Sequence, residues 1–369
     1  MPQTEGNKSL SVFLLATSLL ILFGLAIITN ASIPLSQANF GESFYYFKHQ
    51  IIYGLGLGLV AFFFFYKLNH NRLKKISLGA VILAILLLAA VFIPHIGYES
   101  GGARRWINIL WFSFQPSEFA KLAVITYLAY WLEAKKDKIK KMAMLLPFLF
   151  WLGIIGGLVL IEPDFGTFLI IAAIALGMYF SAGAKTKTLL VVGLAGILIL
   201  GALIAAKPYR RDRFVSFLNP QHDASGRGYQ LNQALITIGS GGIFGLGLGK
   251  GIQKYNYLPE TIGDSVFAIV SEELGLVGAS FVLFLYLIWV LAGLKMAAVA
   301  NRAYGRYLIL GIVIWIGFQA FTNTLGILGL IPFSGIPLPF ISYGGSALLI
   351  ELAAVGIVAG MRAAPIVEK

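Results

Sequence analysis

The stretch Tyr255–Gly278 reads YNYLPETIGDSVFAIVSEELGLVG, and the rest of the chain is best read outward from it. Asp264 stands at the mouth of a strongly apolar run, directly after an entry built on Pro259 and Gly263. Glu272 and Glu273 follow inside that run, roughly 12 Å further along a helix that begins near Asp264. Carboxylates at such depth are costly in a bilayer, which points to function. The competing reading is a buried acid paired with a neighbouring Lys or Arg that only fixes helix packing. It is the stronger reading for Glu272 and Glu273, and the weaker one for Asp264.

Hydrophobic residues fill 58% of the 369 positions and charged residues only 12%. No water-soluble domain of this size needs that much apolar surface, whereas a bundle of spanning helices does. The expected class is an all-α polytopic membrane protein forming one integral membrane domain over residues 1–369. The absence of cysteine excludes disulfides, thiolate metal sites and a cysteine nucleophile. His49, His70, His95 and His222 show no metal-ligand spacing. The first apolar run is too long for a signal-peptide core, has no small-residue cleavage pattern after it, and is expected to be a retained span.

Ten apolar runs are marked: Leu10–Ile28, Ile51–Tyr66, Leu78–Ile93, Ser117–Leu132, Met144–Ile161, Phe165–Phe180, Leu189–Ala206, Ser265–Ala292, Tyr307–Leu328 and Gly344–Val358. Alternate loops are basic (Lys67 to Lys75, Lys135 to Lys141, Lys185 with Lys187, Lys295 to Arg306), as are the ends at Lys8 and Arg362. Under the positive-inside rule both termini lie in the cytoplasm and the number of spans is even. Of 28 Lys and Arg, eleven fall on the opposite side: Lys48, Arg104, Arg105, Lys121, Lys207, Arg210, Arg211, Arg213, Arg227, Lys250 and Lys254. Cations gathered outside, beside an intramembrane carboxylate, suggest an anionic ligand at the outer leaflet. Contact with lipid headgroups explains single members of the set better than the whole.

The outer loop 207–264, between the seventh and eighth runs, is the long one, and its glycines include GSGGIFGLGLGKG at Gly239–Gly251. Tyr229–Ile238 reads as an amphipathic helix too short to span, so re-entrant or interfacial helices are expected here. Gly247-Leu-Gly249-Lys-Gly251 resembles a phosphate cradle but lacks the preceding strand and the Lys-Ser/Thr of a nucleotide loop. Gly54, Gly56 and Gly58 are expected to serve helix packing. A second outer segment, GGARRWINILWFSFQPSEFAKLA, starts a helix at Pro116-Ser117, with Glu118 and Lys121 one turn apart. That pair either serves a ligand or simply neutralises itself. A third, Glu162-Pro-Asp164-Phe-Gly166, sets two acids between spans, and a fourth, GLIPFSGIPLPFISYGGS, reads as a broken helix ending in the hydroxyls Ser342, Tyr343 and Ser346.

Taken together, GGARRWIN with FSFQPSEFAKLA, EPDFGT, YQLNQALITIGSGG with YLPE, Asp264 with EELGLVG, and PLPFISYGGSALL resemble the SEDS family of shape, elongation, division and sporulation proteins. FSFQPSEFAKLA and KYNYLPE lean towards the division type (FtsW-like) rather than the elongation type (RodA-like). One departure stands out: family members commonly carry His-Thr before the catalytic aspartate and Phe after it, where this chain has Ile262-Gly263 and Ser265. The resemblance implies ten transmembrane helices with a long extracytoplasmic loop between helices 7 and 8. It also implies a peptidoglycan glycosyltransferase that polymerises lipid II at the outer face of the bacterial cytoplasmic membrane.

That chemistry agrees with the residues. The 4-hydroxyl of one disaccharide must attack the anomeric carbon of another while undecaprenyl pyrophosphate departs. A carboxylate within hydrogen-bond reach is the minimal base, which makes Asp264 the catalytic candidate. Arg105, Lys121 and Arg210 are candidates for the departing pyrophosphate, with Glu118 and Asp164 orienting them and Ser342 and Tyr343 at the substrate. No cofactor is required by this reading, a divalent cation stays open, and no metal-ligand set is assigned. The implied partners are a class B penicillin-binding protein transpeptidase and other division proteins, with no nucleic acid. A lipid II flippase is the alternative function, since broken helices and buried ions also serve carriers. The gathering of Asp264 and the cations at one surface argues against it.

Overall fold

The computed structural model describes residues 2–363 apart from 101–102, 110–111, 140, 142–143, 206–226, 256 and 334. Each of the ten apolar runs coincides with helix. They are α1 (Pro2–Ala31), the Tyr45–Lys67 span, α5 (His70–Ala90), α6 (Pro116–Ala134), α7 (Leu145–Ile161), α8 (Phe165–Ser181), α9 (Thr186–Ala205), α11 (Val266–Ala298), α12 (Ala303–Ile327) and α13 (Gly345–Ala363). The second span is composite: α3 (Tyr45–His49) and α4 (Leu57–Lys67) flank a π-helical stretch, Gln50–Gly56. The described residues also include two shorter helices, α2 (Ile33–Phe40) and α10 (Arg227–Gly241), and a 3-10 turn at Lys136–Lys138. The Tyr229–Ile238 amphipathic segment thus lies inside α10.

Five of these elements are long and apolar enough to cross a membrane: α1 over Gly6–Ala31, the composite Tyr45–Lys67, α5, α11 and α12. The chain is a mostly helical, multi-span membrane protein. Its large exposed side chains are those that suit a lipid-facing surface, such as Val60, Phe63 and Phe64 on α4 and Leu276, Phe284 and Leu287 on α11. At the centre, α6 is buried along nearly its whole length and packs against α5, α8 and α12, while α1 lies along α11 and α4 along α13. The α4–α13 contact is close. A Cβ built on Gly356 would come within 2.4 Å of the Phe62 carbonyl oxygen, and one on Gly360 within 2.6 Å of that of Tyr66. On the other side, a Cβ on Gly58 would meet Leu352 at 2.6 Å, so the glycine run of the second span does serve helix packing.

Two expectations are corrected here. The protein is not purely α-helical: the segment after α5 forms a three-stranded antiparallel sheet of β1 (Gly97–Ser100), β2 (Ala103–Ile109) and β3 (Phe112–Phe114). Gly97 pairs with Ile107 and Ile107 with Phe114. The aromatic and β-branched residues of Trp106-Ile-Asn-Ile109 suit strands. The eighth run is also not one regular helix. Gly275, at φ +67° and ψ −165°, breaks α11 after Glu272 and Glu273.

Groups freed by that break find partners in the glycine loop after α10. The N–H groups of Leu246 and Gly247 donate to the carbonyls of Glu272 and Glu273 at 2.9 Å each. Those of Leu276 and Val277 donate to the carbonyls of Gly242 and Ile243 at 3.0 and 3.2 Å. Irregular backbone is tolerated at membrane depth when it is buried in protein and satisfied in this way.

Candidate active site

Asp264 lies half-buried in the turn that leads into α11, with Ser265 buried immediately after it. This turn is held through three successive backbone carbonyls. That of Ile262 accepts from the Tyr343 N–H at 2.8 Å, that of Gly263 from Ser342 Oγ at 2.7 Å, and that of Asp264 from Asn323 Nδ2 at 2.9 Å. The holding groups come from two places. Asn323 projects from α12, and Ser342 and Tyr343 end the proline-rich segment before α13. The segment is pinned in turn: Asn323 Nδ2 also donates to the Ile336 carbonyl at 2.7 Å, and the Leu338 N–H donates to Ser342 Oγ at 2.8 Å. Phe340, at φ +64°, donates its N–H to Glu351 Oε2 of α13 at 2.8 Å.

The second span closes the other side. Gln50 Oε1 accepts from the Gly344 N–H at 3.0 Å, and Gln50 Nε2 reaches the Ser342 carbonyl at 3.4 Å. The Tyr343 hydroxyl meets His49 Nδ1 at 3.0 Å, with the Tyr46 ring edge-on to Tyr343 at 5.1 Å. His49 and Gln50 sit where α3 passes into the π-helical stretch, and single π-turns are frequent at functional sites. Sequence reasoning missed both, because their partners lie almost three hundred residues away in the chain.

The Glu118–Lys121 pair forms, but in the interior. Lys121 Nζ donates to Glu118 Oε1 at 2.8 Å and to Gln319 Oε1 at 2.9 Å, and lies 4.9 Å from the Trp315 ring centroid. With the side chains 0% and 1% exposed, neither charge is presented to a ligand in this structure. Gln319 then donates through Nε2 to the Pro337 carbonyl at 3.0 Å. Gln319 and Asn323 are one helical turn apart on α12. They bind Pro337 and Ile336 side by side, joining the ion pair to the Asp264 turn.

Arg105, half-buried on β2, ties the sheet to the α7–α8 turn. Its Nε donates to the Glu162 carbonyl at 3.0 Å and its Nη2 to the Pro163 carbonyl at 2.5 Å. Asp164 caps α8, accepting from the Thr167 N–H at 3.0 Å and from Thr167 Oγ1 at 2.9 Å. Glu162 between them is 0% exposed, and neither carboxyl oxygen has a hydrogen-bond partner among the described residues. Burial, reinforced by Asp164 and partly offset by Arg105, pushes its carboxyl up to about 9. Arg210 lies outside the described residues.

Glu272 and Glu273 are fasteners for the glycine loop. Glu272 Oε1 accepts from the N–H groups of Ile252 and Gln253 at 2.9 and 3.2 Å, and Glu273 pairs with the buried Lys254 at 2.8 Å. Gly251 lies so close to Glu272 that an added Cβ would meet Oε2 at 2.6 Å. The run that looked like a phosphate cradle is therefore packed on carboxylates. Among the described residues no three His, Asp or Glu side chains come together as a metal set. Beside α6, a cavity of about 390 Å³ is lined by Leu83, Phe119, Leu122, Ala123 and Ile357.

These features can be set against known proteins. The sequence profile of the FtsW/RodA/SpoVE family, described as cell cycle proteins, matches residues 10–364. The probable peptidoglycan glycosyltransferase FtsW of Geobacter sulfurreducens is 37% identical over 348 residues, covering 94% of this chain and 93% of that protein. Its namesake in Coxiella burnetii is 40% identical, covering 93% of each. Among solved structures, a chain from work on the structural coordination of polymerization and crosslinking by a peptidoglycan synthase complex superposes with a TM-score of 0.80. It is 27% identical, over 95% of this chain and 96% of that one. Sequence and helix arrangement agree over nearly the whole length, and this chain belongs to the FtsW/RodA/SpoVE family.

Proposed function

We propose that this peptidoglycan glycosyltransferase polymerises lipid II with Asp264 as its general base. The observation that carries the proposal is the setting of Asp264: half-buried at the mouth of α11, on a turn fixed at three consecutive carbonyls. A base held in place by its backbone meets the acceptor 4-hydroxyl without reorganising first. It takes the hydroxyl proton as the oxygen bonds to the anomeric carbon. The carbon–oxygen bond to pyrophosphate breaks at the same time, and the leaving group carries off the electron pair. Such a base contributes roughly 10²–10⁴-fold.

Arg105 and Arg210 remain the proposed pyrophosphate contacts, with Asp164 holding the α7–α8 turn that Arg105 grips. Lys121, buried against Glu118 and Gln319, serves the site in its resting arrangement by bracing the Pro337 segment rather than by touching substrate. Ser342 and Tyr343 shape the acceptor side, and the cavity beside α6 offers apolar lining for a polyprenyl tail. The proposal places the protein in the bacterial inner membrane with ten crossings, cytoplasmic termini and an outward-facing site. The partner proposed is a class B penicillin-binding protein that crosslinks the new strand during division. Purified protein supplied with lipid II in detergent, where no bilayer exists to cross, is expected to form glycan strands. If lipid II stays unpolymerised there, alone and with such a partner, while the protein moves it across vesicles, the flippase reading replaces this one.

A further inference from the structure

We propose that the cytoplasmic ends of α1 and α11 form a binding site for the headgroup of an anionic phospholipid of the inner leaflet. The two helices are tightly joined near their centres. The Phe13 ring lies 4.5 Å from that of Trp289, whose Nε1 donates to Thr17 Oγ1 at 2.8 Å. Past this contact, a cavity of about 610 Å³ is lined by residues of both helices, Lys8, Ser9, Val12, Ile288, Leu291 and Lys295 among them. That volume lies in the range of small-ligand sites. Counting along the helices, Lys8 and Lys295 stand roughly 8–9 Å past the Phe13–Trp289 contact, one on each wall.

The charge pattern selects the ligand. Both lysines are exposed, and neither forms a salt bridge among the described residues. The helix-end carbonyls nearby, which would repel an anion, are partly occupied: Lys295 O accepts from the Val299 N–H at 3.2 Å and Ala297 O from the Ala300 N–H at 3.3 Å. Two exposed lysines therefore line a cavity whose other lining, Val12, Ile288 and Leu291, is apolar. A free inorganic anion leaves that wall wet. A phosphodiester with acyl chains satisfies both halves, its phosphate between the lysines and its first methylenes on the apolar wall. Basic pockets between helices on the cytoplasmic side recognise lipid headgroups by this logic, and two lysines together supply roughly thirtyfold in affinity.

The test uses the full chain in detergent micelles, titrated with phosphatidylglycerol or phosphatidylcholine and read by native mass spectrometry. The Lys8→Gln/Lys295→Gln double variant is compared with a control, Lys135→Gln/Lys136→Gln, that removes the same charge elsewhere on the basic side. We expect one phosphatidylglycerol to be retained preferentially, the preference to fall at least tenfold in the first double variant, and the control to keep it. Equal retention of the two lipids, or an unchanged preference in the first variant, overturns the proposal. So does displacement of the lipid by millimolar inorganic phosphate, which would make the site a general anion site. Lipid retention is measured without turnover, so this proposal and the catalytic one fail separately.

Discussion

Two stretches carry acids into the helical core, and they use them in opposite ways. On α6, Glu118 and Lys121 close on each other and on Gln319, fully buried, so the charge is spent inside the protein. At the mouth of α11, the bonds that fix the Asp264 turn run through backbone carbonyls, and the residue stays half-exposed. A buried pair gives geometry, whereas the acid on a pinned, accessible turn is the one proposed to do chemistry. The two are linked, because α12 presents Gln319 to one and Asn323 to the other.

The most severe way to break this contrast is to open the pair. Lys121→Met leaves the Glu118 carboxylate buried without its cation, which costs about 3–5 kcal/mol. Thermal melting in detergent is expected to fall sharply for this variant and to recover in part when Glu118→Gln is added. A Lys121→Met protein that melts normally but fails to bind lipid II would instead make Lys121 a ligand group. Next in size is Asn323→Ala, which strips donors from the Asp264 and Ile336 carbonyls at a cost of about 1–3 kcal/mol. Turnover should drop about tenfold at saturating lipid II with KM little changed, since the variant misplaces the base rather than the substrate. An unaltered rate would separate the α12 brace from catalysis.

Much of this was legible in the chain. Hydrophobic runs announce themselves, and all ten coincide with helix because apolar patterning is a local property. Among the described residues, only five of these helices are long and apolar enough to cross a membrane. Asp264, at the end of such a run after Pro259 and Gly263, was equally visible. What surrounds it was not. Beyond Glu118, Lys121 reaches Gln319, 198 residues on, and the Tyr343 hydroxyl reaches His49, 294 residues back, so no spacing rule connects them. The break at Gly275 was hidden inside a continuous apolar run, where a glycine reads as packing until its φ is known. The sheet after α5 was hidden because its strands are short and sit among turn residues.

Glu162 sharpens the comparison at the smallest scale, since it is a buried acid with no hydrogen-bond partner for its carboxyl among the described residues. Its carboxyl is raised from the ordinary value near 4.5 to about 9, so between those values the folded protein holds a proton that the unfolded chain has released. Stability from this group is therefore greatest at low pH and declines as pH rises through that window. Melting in detergent should be higher at pH 5 than at pH 8.5, and Glu162→Gln should reduce the difference. A variant with the same pH dependence as the parent would mean that Glu162 meets a partner cation in solution.

The catalytic role of Asp264 is tested most directly by Asp264→Asn, which keeps the shape of the side chain and removes its basicity. Thermal stability and lipid II turnover are measured on the same purified preparation. If Asp264 is the base, melting stays close to that of the parent, lipid II binding is retained, and turnover falls by at least about a hundredfold. Turnover per folded molecule near the parent value, with lowered stability, would contradict that role and make Asp264 a structural residue like Glu118.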